Sequence, residues 1–317
     1  MRAVQFFDSL QLSTNAAAGE PREGEVIVDV LQAGICETDL QLCRGYMGFQ
    51  GTLGHEFVGI ARSGQFKGRR VVAEINCACR NCDFCQRGQQ NHCPNRTVIG
   101  ILDHPGAFAD SLIVPEVNLH AIPDCVDNDE AVFVEPLAAG CRIPQQLPEI
   151  ADKAVTIIGD GRLGNLCAQV LKHHRCDVTV VGKHDFKLSI LRQLGIRTVH
   201  LDQIGTLPRT QYVVDCTGSE SGLSAALNLV SPTGVVVLKT TVAAEHSVQL
   251  AGIVIDELRI VGSRCGPFAD AIKLLEAGSV DVKCLITDRY PIEDAMAAFD
   301  RAKQKDALKV ILDIGRE

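Results

Sequence analysis

Four closely spaced cysteines form the most specific chemical pattern in the sequence. Cys79, Cys82, Cys85 and Cys93 follow the spacing C-x2-C-x2-C-x7-C within residues 75–95. Four thiolates complete the tetrahedral coordination of zinc and leave no open position for a substrate. The residues between them are polar and cannot pack a core, so we expect a metal to take its place. The pattern predicts a structural zinc site, with Cys77 as a spare thiol and His92 as the nearby rival ligand.

A second, more dispersed set of residues could hold a zinc ion with an open position. Cys36, His55 and Glu135 stand respectively at the end of a strand, between glycines and before a proline. One thiolate, one imidazole and one carboxylate suit zinc, and three protein ligands leave a fourth position for water or substrate. Their spacing alone does not bring them together. A single histidine is more often packed or at the surface, and Glu135 could instead cap a helix.

A glycine-rich loop follows an apolar strand and precedes a helix. Residues 156–166, TIIGDGRLGNL, contain Gly159-x-Gly161-x-x-Gly164, the dinucleotide-binding pattern in the strand and helix context that it requires. Gly159 allows a tight turn, Gly161 lets the backbone approach a pyrophosphate, and Gly164 allows close helix packing. The pattern indicates dinucleotide binding rather than a turn with incidental glycines. Further candidate cofactor contacts are Leu163, Thr217, Gly218 and Arg264, of which Arg264 could equally be a surface residue.

The end of the next strand predicts which nicotinamide cofactor is bound. An acidic residue usually stands there and holds the ribose 2′-hydroxyl of NAD. This chain has Gly182, followed by Lys183 and His184. A glycine cannot grip the ribose diol and does not repel a 2′-phosphate, with which Lys183 can pair. We therefore expect NADP(H) rather than NAD(H). The alternative is that Lys183 is a solvated surface residue and Asp185 supplies the acid, but we expect Asp185 to cap the following helix.

The elements that must position these residues fall into two regions. Up to about residue 140, short strands over 25–36, 68–76 and 108–115 are separated by glycine and proline, which predicts a barrel or sandwich-like domain. Strands and helices then alternate, beginning with a strand over 153–159 and an amphipathic helix over 162–174. This alternation predicts a parallel, doubly wound sheet. A helix over 291–307 and a strand over 308–314 close the chain.

Bulk composition limits the classes of function. A length of 317 residues suggests about two domains, and 46% hydrophobic with 22% charged residues is typical of a soluble globular enzyme. The net charge of −8, without a basic stripe, argues against nucleic acid as a partner. No apolar run approaches a membrane span, and no signal peptide is evident. Clustered cysteines in such a chain indicate metal ligands in a reducing cytoplasm.

The chain resembles the zinc-dependent medium-chain dehydrogenase/reductase family, which includes alcohol, polyol and threonine dehydrogenases. The resemblance rests on GICETDL, GTLGHEFVG, the four-cysteine segment, VEPLAAG, GDGRLG and LKVILDI, which occur in the family's order. It implies an α/β protein with a GroES-like, β-rich catalytic domain over 1–140 and 267–317 that carries the structural zinc lobe at 75–95. It also implies a Rossmann NAD(P)-binding domain over 141–266, and assembly into a dimer or tetramer.

The resemblance further implies roles for individual residues. Cys36 and His55 match the family's first two catalytic zinc ligands, and Glu135 matches the glutamate that the sorbitol and threonine dehydrogenase branches use as the third. Cys141 is the rival for that third place. Glu56 matches a glutamate that lies behind the metal and can exchange with water on it. Thr38 matches the hydroxyl that contacts the substrate oxygen, whereas Gln41 stands where the family often has a proton-relaying histidine.

These expectations define a leading function and two alternatives. The leading hypothesis is an oxidoreductase with two zinc ions per chain, one catalytic and one structural. It would transfer a hydride between NADP(H) and an alcohol or polyol, or the corresponding aldehyde or ketone. One alternative is a carbonyl or enone reductase with a vestigial catalytic zinc. The other is a non-catalytic, zinc-stabilised NADP(H)-binding regulatory protein. Two zinc ions per chain would favour the first reading, and one would favour the others.

Overall fold

The structure, a computed structural model, describes residues 1–240 and 248–315. It divides into two units, with Met1–Glu135 and Leu285–Glu317 in unit 1 and Pro136–Cys284 in unit 2. The first boundary lies at 135/136 rather than at the expected 140/141. The second lies at 284/285 rather than at 266/267, which is a larger difference. Residues 267–284 belong to unit 2, where the side-chain amide of Gln169 accepts the backbone N–H of Asp281 (2.7 Å) and donates to its carbonyl (2.8 Å).

Eighteen strands occur along the described residues. They are β1 (Ala3–Phe6), β2 (Leu10–Ser13), β3 (Glu25–Ile35), β4 (Gly51–Thr52), β5 (Glu56–Ala61), β6 (Arg70–Ala73), β7 (Asn76–Cys77), β8 (Thr97–Val98), β9 (Ser111–Pro115), β10 (Leu119–Ala121), β11 (Ala154–Ile158), β12 (Asp177–Gly182), β13 (Arg197–His200), β14 (Thr210–Asp215), β15 (Val230–Leu238), β16 (Arg259–Gly262), β17 (Ile286–Pro291) and β18 (Lys309–Asp313).

Ten α-helices occur in the same part of the chain. They are α1 (Glu37–Leu42), α2 (Asp83–Gln86), α3 (Asn128–Ala131), α4 (Val134–Gln146), α5 (Arg162–His173), α6 (Asp185–Gln193), α7 (Ser221–Leu229), α8 (Leu250–Ile255), α9 (Phe268–Glu276) and α10 (Ala295–Ala302). Among the described residues, no helix has the length and apolar character needed to cross a bilayer.

Unit 1 is built on a seven-stranded sheet. Its order is β10-β6-β5-β3-β18-β17, with β9 also paired to β3. Neighbouring strands are antiparallel except for β17 and β18. In β3 the buried side chains Val26, Val28 and Val30 alternate with less buried ones, as expected for a sheet with one face on the core. A three-stranded sheet, β2-β1-β4, and the β7–β8 pair complete this β-rich unit.

Unit 2 is the doubly wound sheet that the sequence predicts. Its six strands are parallel in the order β13-β12-β11-β14-β15-β16, which corresponds to 3-2-1-4-5-6 within the unit. The predicted apolar face of α5 is buried at Leu166, Val170 and Leu171, while Leu163 is half-buried. Each fully buried side chain of this kind contributes about 1.5–3 kcal/mol. The strand order reverses between β11 and β14, where such sheets bind ligands at the carboxyl ends of their strands.

Candidate metal and cofactor sites

The four predicted cysteines of the zinc lobe converge. The strands β7 and β8 pair through Asn76 with Val98 and Cys77 with Thr97, which closes the intervening segment into a loop. The sulfur atoms of the set all lie within 4.8 Å of one another. Neighbouring sulfurs lie 3.4 Å (Cys79 and Cys93), 3.5 Å (Cys82 and Cys85) and 3.8 Å (Cys82 and Cys93) apart. Sulfurs around a tetrahedral zinc lie about 3.8 Å apart, so the set fits zinc.

Local hydrogen bonds prepare these sulfurs for a cation. The backbone N–H of Asn81 is the main cause that lowers the pKa of the Cys79 thiol to about 6. The backbone N–H of Cys79 in turn lies 3.5 Å from the sulfur of Cys93, and the Asn95 amide lies 3.8 Å from the sulfur of Cys79. Such donors stabilise thiolates and orient them around a metal.

The two neighbours of this set have other environments. Burial raises the pKa of the Cys77 thiol to about 12, and its sulfur lies 3.8 Å from the amide nitrogen of Asn118. The ring of His92 packs 6.4 Å from the ring of Phe84, centroid to centroid. Neither residue belongs to the group of mutually close ligands.

Strand register brings the second set of ligands to one end of the unit 1 sheet. Gly34 of β3 pairs with Glu56 of β5, so Cys36 lies just beyond the end of β3 and His55 just before the start of β5. The antiparallel β18 pairs with β3 so that Ile311 faces Gly34, which brings Lys309 to the same end of the sheet. Long-range pairing, rather than sequence spacing, therefore assembles this site.

Three potential ligands meet at this end of the sheet. The ligand atoms of Cys36, His55 and Glu56 lie within 4.8 Å of one another, and both His55 and Glu56 are buried. Glu135 lies at the second position of α4 and is half-buried. It is not part of this close group, and its role as a zinc ligand stays a prediction. The rival Cys141 also lies outside this close group, and burial raises the pKa of its thiol to about 12.

Asp39 orients both of the first two ligands. Its carboxylate accepts the backbone N–H of Cys36 at 2.8 Å and that of Gly54, the residue before His55, at 3.3 Å. It also lies 3.3 Å from Nδ1 of the buried His55 ring. Burial opposes charge on this imidazole, but Asp39 and Cys36 outweigh it and raise the pKa of His55 well above its ordinary value. The setting favours a cation at His55, which fits zinc.

A buried ion pair with Lys309 holds Glu56, the third of these potential ligands. Lys309 and Glu56 are each 1% exposed, and their side chains form a salt bridge. The Lys309 ammonium also lies 5.2 Å from the centre of the Phe133 ring, a cation–π distance. Loss of either partner would leave an uncompensated buried charge, so each side chain depends on the other. The site thus presents a fixed carboxylate whose negative charge is shared with Lys309.

The remaining predicted residues of this site lie on α1. The hydroxyl of Thr38 lies 3.8 Å from the sulfur of Cys36, so it stands beside the candidate metal ligands. The side-chain amide of Gln41, in place of a proton-relaying histidine, donates to Glu37 at 2.8 Å. Gln41 is therefore engaged with a neighbouring carboxylate on its own helix.

The glycine loop has the geometry of a pyrophosphate cradle. Gly159 adopts φ +117°, and a Cβ there would lie 2.6 Å from the carbonyl oxygen of Cys216. A Cβ on Gly164 would collide with Gly159, whereas one on Gly161 would meet no atom within 4 Å. The loop is therefore tightly packed at Gly159 and Gly164 and has open space at Gly161. Gly161 is the N-cap of α5 and has no side chain to cap the helix, as is usual where a helix N-terminus faces a phosphate.

The other predicted cofactor residues lie at the carboxyl ends of neighbouring strands. Lys183 is exposed, and His184 is 30% exposed and precedes α6. Thr217 donates its hydroxyl to the buried Asp215 at 2.8 Å. Gly218 donates its N–H to Thr240 at 3.1 Å. Arg264 is exposed beyond β16. These positions follow the edge of unit 2 at which a dinucleotide would bind.

Three residues of these sites, Asp39, Lys309 and Asp160, were not predicted from the sequence. Asp39 carried a usable signal, because a carboxylate three residues after a helix start can form a capping box. Lys309 stood out weakly as a single lysine in the apolar strand LKVILDI. Asp160 lies within the glycine loop at a position that the dinucleotide pattern leaves free, so it carried no signal.

Family models match both parts of the chain. The model described as alcohol dehydrogenase GroES-like domain matches residues 22–124, and the model described as glucose dehydrogenase C-terminus matches residues 132–314. The second match alone covers more than half of the chain. The chain belongs to the zinc-type medium-chain dehydrogenase/reductase family. It is therefore an oxidoreductase with a GroES-like domain and a Rossmann-type domain, as the sequence predicts.

Individual relatives of this family cover almost the whole chain. A sorbitol dehydrogenase of Halalkalibacterium halodurans is 28% identical over 92% of this chain and 92% of its own length. The structure of an Escherichia coli CFT073 alcohol dehydrogenase (RspB) complexed with NADH superimposes with a TM-score of 0.90, at 27% identity, covering 99% of each chain. A zinc-binding dehydrogenase of Sinorhizobium meliloti 1021 bound to NADP gives a TM-score of 0.89 at 26% identity, covering 98% of each chain.

Proposed function

We propose that this oxidoreductase is zinc-dependent and transfers a hydride between NADP(H) and an alcohol or polyol, or the matching aldehyde or ketone. The observation that carries the proposal is the cluster of Cys36, His55 and Glu56, with ligand atoms within 4.8 Å of one another. The hydroxyl of Thr38 stands beside it. A thiolate, an imidazole and a carboxylate around one point suit zinc with an open position. The vestigial-zinc and non-catalytic alternatives leave this cluster unexplained.

Cys36 and His55 would hold the catalytic zinc together with a carboxylate. Glu56 is the carboxylate already within reach, but its charge is shared with Lys309. A carboxylate paired with an ammonium is a weaker ligand for a cation, which leaves room for Glu135 as the third ligand that the resemblance implies. Glu56 would then be a second carboxylate of the site, held by Lys309 and within reach of the metal.

Side chains of the protein would accept the substrate proton and orient the metal ligands. Zinc, when bound, would supply a Lewis acid that favours loss of the alcohol proton. Thr38 would accept that proton through its hydroxyl, and Asp39 would hold the His55 ring in place. Gln41 cannot titrate and donates to Glu37, so the proton would leave Thr38 through water or the cofactor ribose.

The cofactor preference is supported by the end of β12. Gly182 offers no carboxylate to the ribose diol, and Lys183 is an exposed cation next to it. A lysine at this position can pair with a 2′-phosphate, which only NADP(H) carries. We therefore propose NADP(H) as the preferred cofactor.

A homo-oligomer is supported by an apolar patch on unit 2. Leu250, Val254 and Ile255 of α8 are 68–77% exposed, and Ile260 of β16 is 40% exposed. Among the described residues, β16 is the last strand of its sheet and leaves one edge unpaired. Unprotected edges with apolar neighbours favour pairing with another chain. Light scattering after size exclusion should give a multiple of the 34.2 kDa chain mass, and a monomer would refute the assembly.

A cytoplasmic location is supported by the cysteines. All fourteen lie among the described residues and none forms a disulfide, not even those with sulfurs about 3.5 Å apart in the zinc lobe. Thiols that serve as zinc ligands must stay reduced, and the cytosol keeps them so.

The proposed function predicts zinc-dependent turnover of a hydroxylated substrate. A panel of alcohols, polyols and aldehydes would be followed at the absorbance of the reduced nicotinamide, with NAD(H) and NADP(H) in parallel. We expect turnover of at least one polyol or its carbonyl form, and a higher kcat/KM with NADP(H). The same assay after chelation of the metal should show no turnover. Undiminished turnover in fully demetallated protein would contradict the zinc mechanism.

A further inference from the structure

The carboxylate of Asp160 links the first two strand-to-helix loops of unit 2. Its Oδ2 atom accepts the backbone N–H groups of Lys183 at 2.8 Å and His184 at 2.7 Å. The ring Nδ1 of His184 lies 3.1 Å from both carboxylate oxygens. The Asp160 side chain is only 8% exposed. Asp160, an acidic residue of the glycine loop, therefore holds the turn that follows β12 in place.

This carboxylate occupies the space in which a side chain of residue 182 would begin. A Cβ on Gly182 would lie 2.5 Å from the Cβ of Asp160 and 2.6 Å from its Oδ2. NAD-binding sheets of this kind usually carry their own carboxylate at that strand end. Here the carboxylate comes from the neighbouring loop, and two of its hydrogen-bonding positions are taken by backbone N–H groups.

The contact with Asp160 also fixes how His184 can meet a ligand. Nδ1 is the ring nitrogen that faces the carboxylate, which orients the ring and turns Nε2 away from Asp160. No hydrogen bond from Nε2 is recorded among the described residues, and the side chain is 30% exposed. His200, at the end of β13, supports the same turn through Nε2, 3.2 Å from the carbonyl oxygen of Lys183. The turn is therefore held from two neighbouring strand ends.

We propose that Asp160 is a positioning residue for cofactor discrimination, which holds Lys183 and His184 as the recognition site for the 2′-phosphate of NADP(H). This inference rests on the proposed NADP(H) preference. The backbone bonds set the direction of the Lys183 side chain, whose ammonium would pair with the phosphate, and the ring contact fixes the orientation of His184 beside it.

The test compares Asp160→Asn with wild-type protein in binding NADPH and NADH, measured as dissociation constants by nucleotide fluorescence. Asparagine keeps the size but loses the charge that holds the N–H groups and the ring. We expect NADPH to bind about tenfold more weakly and NADH less than about twofold more weakly, as for loss of a charge-assisted contact. Asp177→Asn, which removes an exposed carboxylate at the opposite end of β12, is the matched control and should change neither constant. An unchanged thermal unfolding midpoint would show that Asp160→Asn folds.

The other outcomes separate this inference from the preference on which it rests. Wild-type protein that binds NADH as tightly as NADPH, with no loss of NADPH affinity in Lys183→Gln, would refute the NADP(H) preference. An Asp160→Asn variant whose ratio of the two constants equals that of the wild type would overturn the role of Asp160 alone. A larger loss of NADH than of NADPH would also overturn it, since Asp160 would then bind the ribose diol directly.

Discussion

Cys36→Ser should lower kcat/KM by about 10³-fold while the protein stays folded. Loss of the thiolate removes one protein ligand from the candidate catalytic site, where His55 and Glu56 would remain. The expected decrease corresponds to about 4 kcal/mol of transition-state stabilisation, the scale of Lewis-acid assistance by a bound metal. The measurement is steady-state kinetics on the best substrate of the panel, together with circular dichroism and the zinc content of the variant.

Cys43→Ser provides the matched control for this experiment. Cys43 follows the same helix, α1, is half-buried and does not belong to the ligand cluster. Burial raises the pKa of its thiol to about 11. Its replacement should leave kcat/KM within about twofold of wild type. Full activity in Cys36→Ser would show that the thiolate has no part in the reaction.

Cys82→Ser should lower stability before it affects chemistry. The four thiols of the zinc lobe are mutually close, and the loop that they would hold together is largely exposed. Structural zinc contributes folding free energy directly, so a missing ligand should cost about 2–4 kcal/mol. That loss corresponds to a thermal unfolding midpoint about 5–10 °C lower. The variant should also lose one zinc ion per chain, and kcat should change little at temperatures where the protein remains folded.

Cys77→Ser is the control for this experiment, because it replaces a neighbouring thiol that is not one of the metal ligands. Cys77 lies in β7 beside the lobe, outside the ligand group, with a pKa of about 12 caused by burial. It should keep both zinc ions and nearly all of its stability. Loss of turnover in Cys82→Ser with unchanged zinc content and unfolding midpoint would contradict a structural role for the lobe.

The fold could be predicted because local patterns and global topology agree. The helix α5 was predicted from the spacing of Leu166, Val170 and Leu171, and these side chains are buried. The alternation of strands and helices predicted a doubly wound sheet, and the structure has it. The second domain boundary was harder to predict, because the helical pattern of α9 does not indicate which of the two sheets this helix packs against. Only contacts such as those of Gln169 with Asp281 decide it.

The sites could be predicted where the ligands are close in sequence. The spacing of Cys79, Cys82 and Cys85 is itself a metal pattern, and their sulfurs converge. The pair of Glu56 and Lys309 is different, because its members are 253 residues apart in sequence and meet only through the pairing of β3 with β5 and β18. No local pattern contains that information.

The zinc content of purified wild-type protein, measured by elemental analysis after removal of loosely bound metal, distinguishes one zinc site per chain from two. We propose two sites with different roles, one of four thiolates and one around Cys36 and His55. We expect two zinc ions per chain. A single zinc ion that is lost in Cys82→Ser and retained in Cys36→Ser would mean that the zinc lobe alone binds metal, and would contradict the zinc-dependent mechanism.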